Sequence, residues 1–191
     1  MKSSLFAVAL VGVSVLARPV PATTVLRVPL EEMARTCDLV VHARVESVRV
    51  VTASDDERRI STEVRLAVLQ VLKGHATGPA LVLTLPGGRT ERWTLAIPGM
   101  PQFREGEEVV LFLERTSAGL RPAGLALGTY RVRRDPSTGQ ARAVRDLRGV
   151  AVVERTRSGL EYPDAGPVSH ADDEMALEVL AARVRNAGGA R

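Results

Sequence analysis

The chain has 191 residues, of which 25% are charged and 3% are aromatic, and its formal net charge is +4. So few aromatic residues disfavour nucleic-acid binding, because single-stranded bases are held by stacking on aromatic rings. They also weaken a carbohydrate-binding interpretation. The one cysteine excludes an internal disulfide framework. The length fits a single domain with its own hydrophobic core.

Residues 1–22 have the pattern of a secretory signal peptide. Lys2 supplies a positive charge, residues 5–17 form an apolar run, and residues 20–22 (Val-Pro-Ala) form a small-residue cleavage site. The apolar run is shorter than the roughly 20 residues that a membrane-spanning helix needs. We therefore expect a mature chain that begins at Thr23, is exported to the periplasm or the cell exterior, and has no membrane span.

The next element is predicted to be a helix of about two turns at Leu30–Thr36. Pro29 suits the first position of a helix, and Glu31 and Glu32 suit the positive end of its dipole. Cys37 follows directly and has two open interpretations. It is a small buried hydrophobe, or it pairs with a cysteine of another chain.

Two long strands are predicted at residues 38–50 and 60–72, joined by a polar turn. The apolar alternation of the first strand shifts by one residue near Glu46 and Ser47, which is the pattern of a β-bulge. The same alternation places His42 on the outer face. Two long, bulged strands in one hairpin indicate a strongly curved sheet or a small barrel.

Further strands are predicted along the rest of the chain. Val109, Val110, Leu111, Phe112 and Leu113 form a continuous apolar run, which is typical of a strand buried on both faces. We expect this run to be the central strand, with Phe103 packed beneath the loop that precedes it. The other predicted strands are residues 80–85, 89–97, 120–125, 128–133, 141–145 and 150–154, with the last two as candidates for a sheet edge.

The C-terminal part is predicted to be a linker at residues 158–168 and an amphipathic helix at residues 169–187. Ser169 and Asp172 have the spacing of a helix cap. The helix has one apolar stripe at helical spacing, formed by Leu177, Leu180, Ala181 and Val184. The expected fold is therefore mainly β: one small, curved, OB-like β-barrel at residues 23–157 with a short N-terminal helix and the C-terminal helix packed on it.

Four segments resemble an uncharacterised family of exported, β-rich bacterial proteins: residues 37–45, 71–74 (Val-Leu-Lys-Gly), 98–113 and 128–132. This resemblance covers about residues 30–132 and implies no activity. The first half is also similar to the netrin-like OB barrel of the tissue inhibitors of metalloproteinases. Those inhibitors chelate zinc through an N-terminal cysteine and are stapled by disulfides, so their inhibitory residues do not carry over to this chain.

The sequence assigns no catalytic, cofactor-binding or metal-binding residue. His42, His75 and His170 lie far apart, and none has a partner at metal-ligand spacing. There is no G-x-S-x-G motif for a nucleophilic serine. We therefore expect a chain that is not an enzyme and uses no cofactor, with an unrecognised hydrolase as an alternative.

Two candidate binding regions remain. The first is the loop before the central strand, beside the turn at residues 86–89, because loops carry function on rigid β scaffolds. Its alternative role is only to close the barrel. The candidate loop residues are Pro98, Gly99, Met100, Pro101, Gln102 and Arg104.

The second region is basic: residues 131–157 hold eight arginines and three acidic residues. This segment either binds an envelope component or another polyanion, or faces the acidic tail of its own chain. The candidate residues are Arg131, Arg133, Arg134, Arg142, Arg145 and Arg148. The leading expectation is a monomeric, exported binding module whose partner is another protein and not nucleic acid.

Overall fold

The computed structural model describes residues 23–147, 150–156, 159–161 and 170–189. The predicted signal peptide and most of the predicted linker lie outside these ranges. Within them the chain is mainly β, as predicted. The elements in chain order are β1 (Thr23–Leu26), α1 (Leu30–Thr36), β2 (Leu39–Thr52), β3 (Ile60–Lys73), β4 (Ala80–Pro86), β5 (Gly88–Arg89), β6 (Thr94–Leu95), β7 (Glu108–Thr116), β8 (Gly119–Pro122), a 3-10 turn (Leu125–Gly128), β9 (Thr129–Arg134), β10 (Ala141–Arg145), β11 (Val150–Thr156), β12 (Gly159–Glu161), β13 (Glu174–Ala176) and α2 (Leu177–Gly189).

The main sheet is antiparallel and has the strand order β13-β10-β9-β7-β2-β3-β4, with β8 also paired to β7. A small second sheet joins the start of the described chain to its later part, because β1 pairs in parallel with β11, which pairs with β12. The strands β5 and β6 form a separate two-stranded hairpin.

The strand β7 lies inside the main sheet and is buried on both faces. All five residues from Val109 to Leu113 have no solvent exposure. Because side chains alternate along a strand, Val110 and Phe112 pack beneath α1 and α2. Val109, Leu111 and Leu113 fill the opposite core. The prediction of a central, fully buried strand is confirmed.

Two hydrophobic cores therefore share one sheet. The helix-side core holds Leu30 and Met33 of α1, Leu180 and Val184 of α2, and Tyr130 of β9. The opposite core is filled by β2, β3, β4 and β7. Its buried members are Leu39, Val41, Ala43, Val45, Val64, Leu66, Leu81, Leu83, Leu85, Phe103, Val109, Leu111 and Leu113. The prediction that Phe103 packs beneath its loop is confirmed, since its side chain is buried in this core.

The β2–β3 hairpin has the predicted bulge. The pairing register shifts between Val45 and Ser47, where the sequence pattern slips, and again near His42 and Ala43. The bulged strands bring β4 close to β8, although β4 and β8 form no hydrogen-bonded ladder. The five strands β8-β7-β2-β3-β4 thus curl towards each other, but the predicted closed barrel is not found among the described strands.

The predicted strand at residues 89–97 is wrong. This segment forms β5, a turn, and β6, and the side chains of Trp93 and Leu95 are both more than one third exposed. The sequence pattern showed alternating apolar residues, but no neighbouring strand covers them. The prediction that β10 and β11 lie at sheet edges is also wrong, since β10 pairs with both β9 and β13, and β11 pairs with both β1 and β12.

The C-terminal helix begins at Leu177 rather than at residue 169. Glu174–Ala176 pair with β10 as strand β13, and this pairing takes the backbone hydrogen bonds that an earlier helix would need. Asp172 does not cap the helix; its carboxylate accepts a hydrogen bond from Arg183 at 2.9 Å. The predicted linker is partly structured, because β12 occupies its residues 159–161.

The Lys73-Gly74 pair at the end of β3 has a structural role. The ammonium group of Lys73 donates to the carbonyl oxygens of Arg35 (2.8 Å) and Cys37 (2.5 Å), at the C-terminal end of α1. Gly74 has φ +80° and lies against the Asp38 carbonyl oxygen, where a Cβ atom would overlap. The pair therefore fixes α1 to the end of the hairpin.

Leu111→Ala tests the central position of β7. We expect the free energy of unfolding to fall by about 2–5 kcal/mol, because the variant loses packing and leaves a cavity. Urea denaturation followed by circular dichroism measures this change. The control is Leu69→Ala, since Leu69 is 47% exposed and its truncation should cost about 0.5 kcal/mol or less. Equal losses in the two variants would contradict the central role of β7.

Gly74→Ala tests the contact between β3 and α1. An alanine there needs an unfavourable backbone conformation and also collides with Asp38, so we expect a loss of about 2 kcal/mol or more. Gly78→Ala is the matched control, because a Cβ at Gly78 meets nothing within 4 Å. Thermal unfolding measures both variants. A Gly74→Ala protein as stable as the control would show that the close approach is not required.

Candidate binding sites

The candidate loop before β7 is anchored to the scaffold through its backbone. The Gly99 carbonyl accepts a hydrogen bond from the Ala126 amide at 3.1 Å. The Gln102 carbonyl accepts one from the guanidinium of Arg131 at 2.5 Å, and the Arg104 amide donates to the Glu107 carboxylate at 3.0 Å. The loop backbone is therefore held at three points.

The six candidate loop residues divide into two groups. Gly99, Met100 and Pro101 are half-buried, and Met100 packs against the core of β2, β3, β4 and β7. Pro98, Gln102 and Arg104 are exposed. The exposed side chains of the second group are therefore the ones available to contact a partner.

Four of the six candidate arginines of the basic segment have carboxylate partners within the chain. Arg131 pairs with Glu107 and with Asp146, and three other candidates also have carboxylate partners. These pairs are Arg134 with Glu108, Arg142 with Glu174, and Arg145 with Asp173. Arg133 is exposed and has no ion pair within the described residues, and Arg148 lies outside those residues. Of these partners only Glu174 and Asp173 lie in the acidic tail, so the tail faces Arg142 and Arg145, while Arg131 and Arg134 pair with carboxylates elsewhere in the chain.

A buried network surrounds Asp173. Its carboxylate accepts hydrogen bonds from Arg27 at 2.8 Å and from Arg145 at 3.2 Å. The side chain of Arg145 has no solvent exposure, and its guanidinium carbon lies 4.6 Å from the centre of the Tyr130 ring. Burial alone would raise the pKa of Asp173, but the hydrogen bond from Arg27 and the two positive charges hold it below its usual value. The network links β1, β10 and the turn before β13.

The side chain of His42 is less exposed than its predicted position on the outer face of the strand suggested. Its strand face is the one predicted, shared with Val40, which packs in the core with α2. The His42 side chain is nevertheless only 12% exposed, beside Glu108. Its Nε2 atom is buried and lies 3.4 Å from the Glu108 carboxylate. Hydrogen bonds from Arg44 and Arg134 to this carboxylate outweigh its burial, so the pKa of Glu108 lies below its usual value.

A cleft of about 410 Å³ lies between α2 and the main sheet. Its apolar lining comes from Leu72 of β3, Ala141 of β10, and two residues of α2, with His42 at its side. The polar residues that line the cleft are Gln70, Gln140, Glu178 and Arg185. The two apolar residues of α2 are Leu177 and Ala181. The cleft could not be predicted from the sequence, because its position depends on where α2 crosses the sheet.

Cys37 is a free, buried cysteine, which agrees with its interpretation as a small hydrophobe. Burial is the main cause that raises the pKa of its thiol. The structure thus gives this thiol no nucleophilic activation. Within residues 23–147, 150–156, 159–161 and 170–189, no three His, Cys, Asp or Glu side chains are grouped as a metal site.

The network around Asp173 predicts a specific dependence of stability on pH. Because the folded pKa of Asp173 is lowered, its stabilising effect is present above the unfolded value of about 3.9 and is lost as the pH falls through the folded value. Asp173→Asn should therefore lower the free energy of unfolding at pH 7, and it should lose less further stability than the wild type between pH 5 and pH 3.

Urea denaturation across this pH range tests the expectation. The control is Glu91→Gln, since Glu91 is exposed and should leave the pH profile unchanged. If Asp173→Asn and the wild type lost stability in parallel as the pH fell, the ion pairs of Asp173 would not be the cause.

Comparison with known proteins finds no matching family model, no matching curated protein and no matching solved structure. Among the described residues, neither helix is long and apolar enough to cross a membrane.

Proposed function

We propose that this chain is an exported, non-enzymatic binding module that acts in the periplasm or outside the cell, and that its partner is another protein. The curled run of five strands, β8-β7-β2-β3-β4, supports an OB-like fold, since OB folds are five-stranded, partly open barrels. The cleavage pattern at residues 20–22 supports export.

The anchored loop before β7 is the observation that carries this proposal. Its backbone is held by Ala126, Arg131 and Glu107. The side chains of Gln102 and Arg104 are exposed and have no hydrogen bond or ion pair within the described residues. A loop that is already ordered loses little conformational freedom when a partner binds. Free polar side chains on such a loop therefore make a suitable contact surface.

The test compares capture of partners by the wild-type chain and by the double variant Gln102→Ala/Arg104→Ala. Each protein is tagged, exported, and used as bait in the exported fraction. We expect the variant to retain a specific partner at least about fivefold less than the wild type, the loss caused by removing side chains worth about 1 kcal/mol or more. Neither side chain packs in the core, so thermal unfolding should be unchanged.

The matched control is Arg49→Ala, because Arg49 is exposed on β2 and lies outside the loop. Equal retention by the double variant and the control would contradict the loop as the contact surface. Absence of any specific partner for the wild type would contradict the binding module itself. Turnover of ester, peptide or phosphate substrates by the purified chain would contradict the non-enzymatic assignment.

A further inference from the structure

We propose that the cleft between α2 and the main sheet binds a short peptide with free ends, with the ammonium group at Glu178 and the carboxylate at Arg185. This site is separate from the loop before β7. The proposal rests on the shape of the cleft, the two opposite charges on α2, and the two amide side chains beside them.

The cleft has the size and lining of a small-ligand site. Its volume is about 410 Å³, and such sites commonly measure about 300–1,000 Å³. The buried side chains of Leu72 and Ala181 form apolar surface, and Leu177 is half-buried beside them. An aliphatic side chain of a ligand would remove this surface from water, which is favourable.

Glu178 and Arg185 present unpaired charges of opposite sign to the cleft. Both are exposed, and no ion pair of either is found within the described residues. They are seven residues apart on α2, so they lie on one helix face about 10 Å apart along its axis. Between them, Ala181 is too small to fill the space. A ligand with a positive and a negative end separated by about this distance complements the helix face.

An extended peptide matches this spacing. Each extended residue spans about 3.3–3.6 Å, so about three residues separate an ammonium group at Glu178 from a carboxylate at Arg185. A shorter zwitterion, such as a single amino acid, would reach only one of the two charges without movement of the side chains.

The two glutamines favour a peptide over other zwitterions. Gln70 extends from β3, and Gln140 directly precedes β10, so they approach the cleft from different parts of the sheet. Both side chains are exposed, and neither has a hydrogen bond within the described residues. A carboxamide offers one acceptor and two donors, which is the complement of a peptide group.

The test measures binding of the tripeptide Ala-Leu-Ala to the full mature chain by titration calorimetry or NMR. Three further probes have the same sequence with an acetylated N-terminus, an amidated C-terminus, or both. The wild type should bind the free tripeptide best, and each blocked end should weaken binding about threefold to fivefold, as expected for a solvent-exposed ion pair.

Charge-removing variants assign each end of the peptide. Glu178→Gln should weaken binding of the free peptide by a similar factor and should no longer distinguish free from acetylated peptide. Arg185→Gln should no longer distinguish free from amidated peptide. The controls Glu91→Gln and Arg133→Gln remove exposed charges outside the cleft and should keep the wild-type pattern.

Three results would overturn the proposal. The first is no saturable binding of the free peptide at millimolar concentration. The second is equal binding of free and blocked peptides. The third is that blocking an end of the peptide weakens its binding to the wild type and to the cleft variants by the same factor. The Gln102→Ala/Arg104→Ala protein should bind the tripeptide like the wild type, so a failure of the loop proposal and a failure of the cleft proposal remain distinguishable.

Discussion

The burial of β7 on both faces is the constraint on which the rest of the structure depends. A strand with no exposed side chain from Val109 to Leu113 needs a cover on each side of the sheet. Two helices provide one cover, and the curl of β2, β3 and β4 provides the other. The bulges in the β2–β3 hairpin allow this curl, so the register shifts near Val45 contribute to the burial of β7.

The parts of the fold that depend on local patterns could be predicted from the sequence. The central strand, the first bulge, and helix α1 with its bounds all follow from the residues that form them. The start of α2 could not be predicted, because Glu174–Ala176 pair with a strand about thirty residues earlier. Likewise, alternation gave the correct face of His42 but not its burial, which depends on residues distant in sequence such as Glu108.

For the charged residues too, the composition of a segment predicts less than the positions of its residues in the fold. An excess of arginine in one segment indicates a basic surface, yet four of the six candidates meet carboxylates of the same chain. The partners Glu174 and Asp173 lie in the acidic tail, where no local pattern connects them to β10. The charges that remain unpaired are therefore more informative about binding than the total charge. Among the described residues, they include Arg104 of the loop and Glu178 and Arg185 beside the cleft, together with isolated surface residues such as Arg133.

Because Lys73 contacts the end of α1, chemical modification of its amine can be used to follow the attachment of this helix. Lys73 and Lys2 are the only lysines in the chain, so after cleavage at Thr23 the Lys73 amine would be the single side-chain amine of the protein. This amine is held by the carbonyl oxygens of Arg35 and Cys37. The rate at which an amine-directed reagent modifies it would report how often α1 separates from the end of β3, without a probe having to be engineered into the chain.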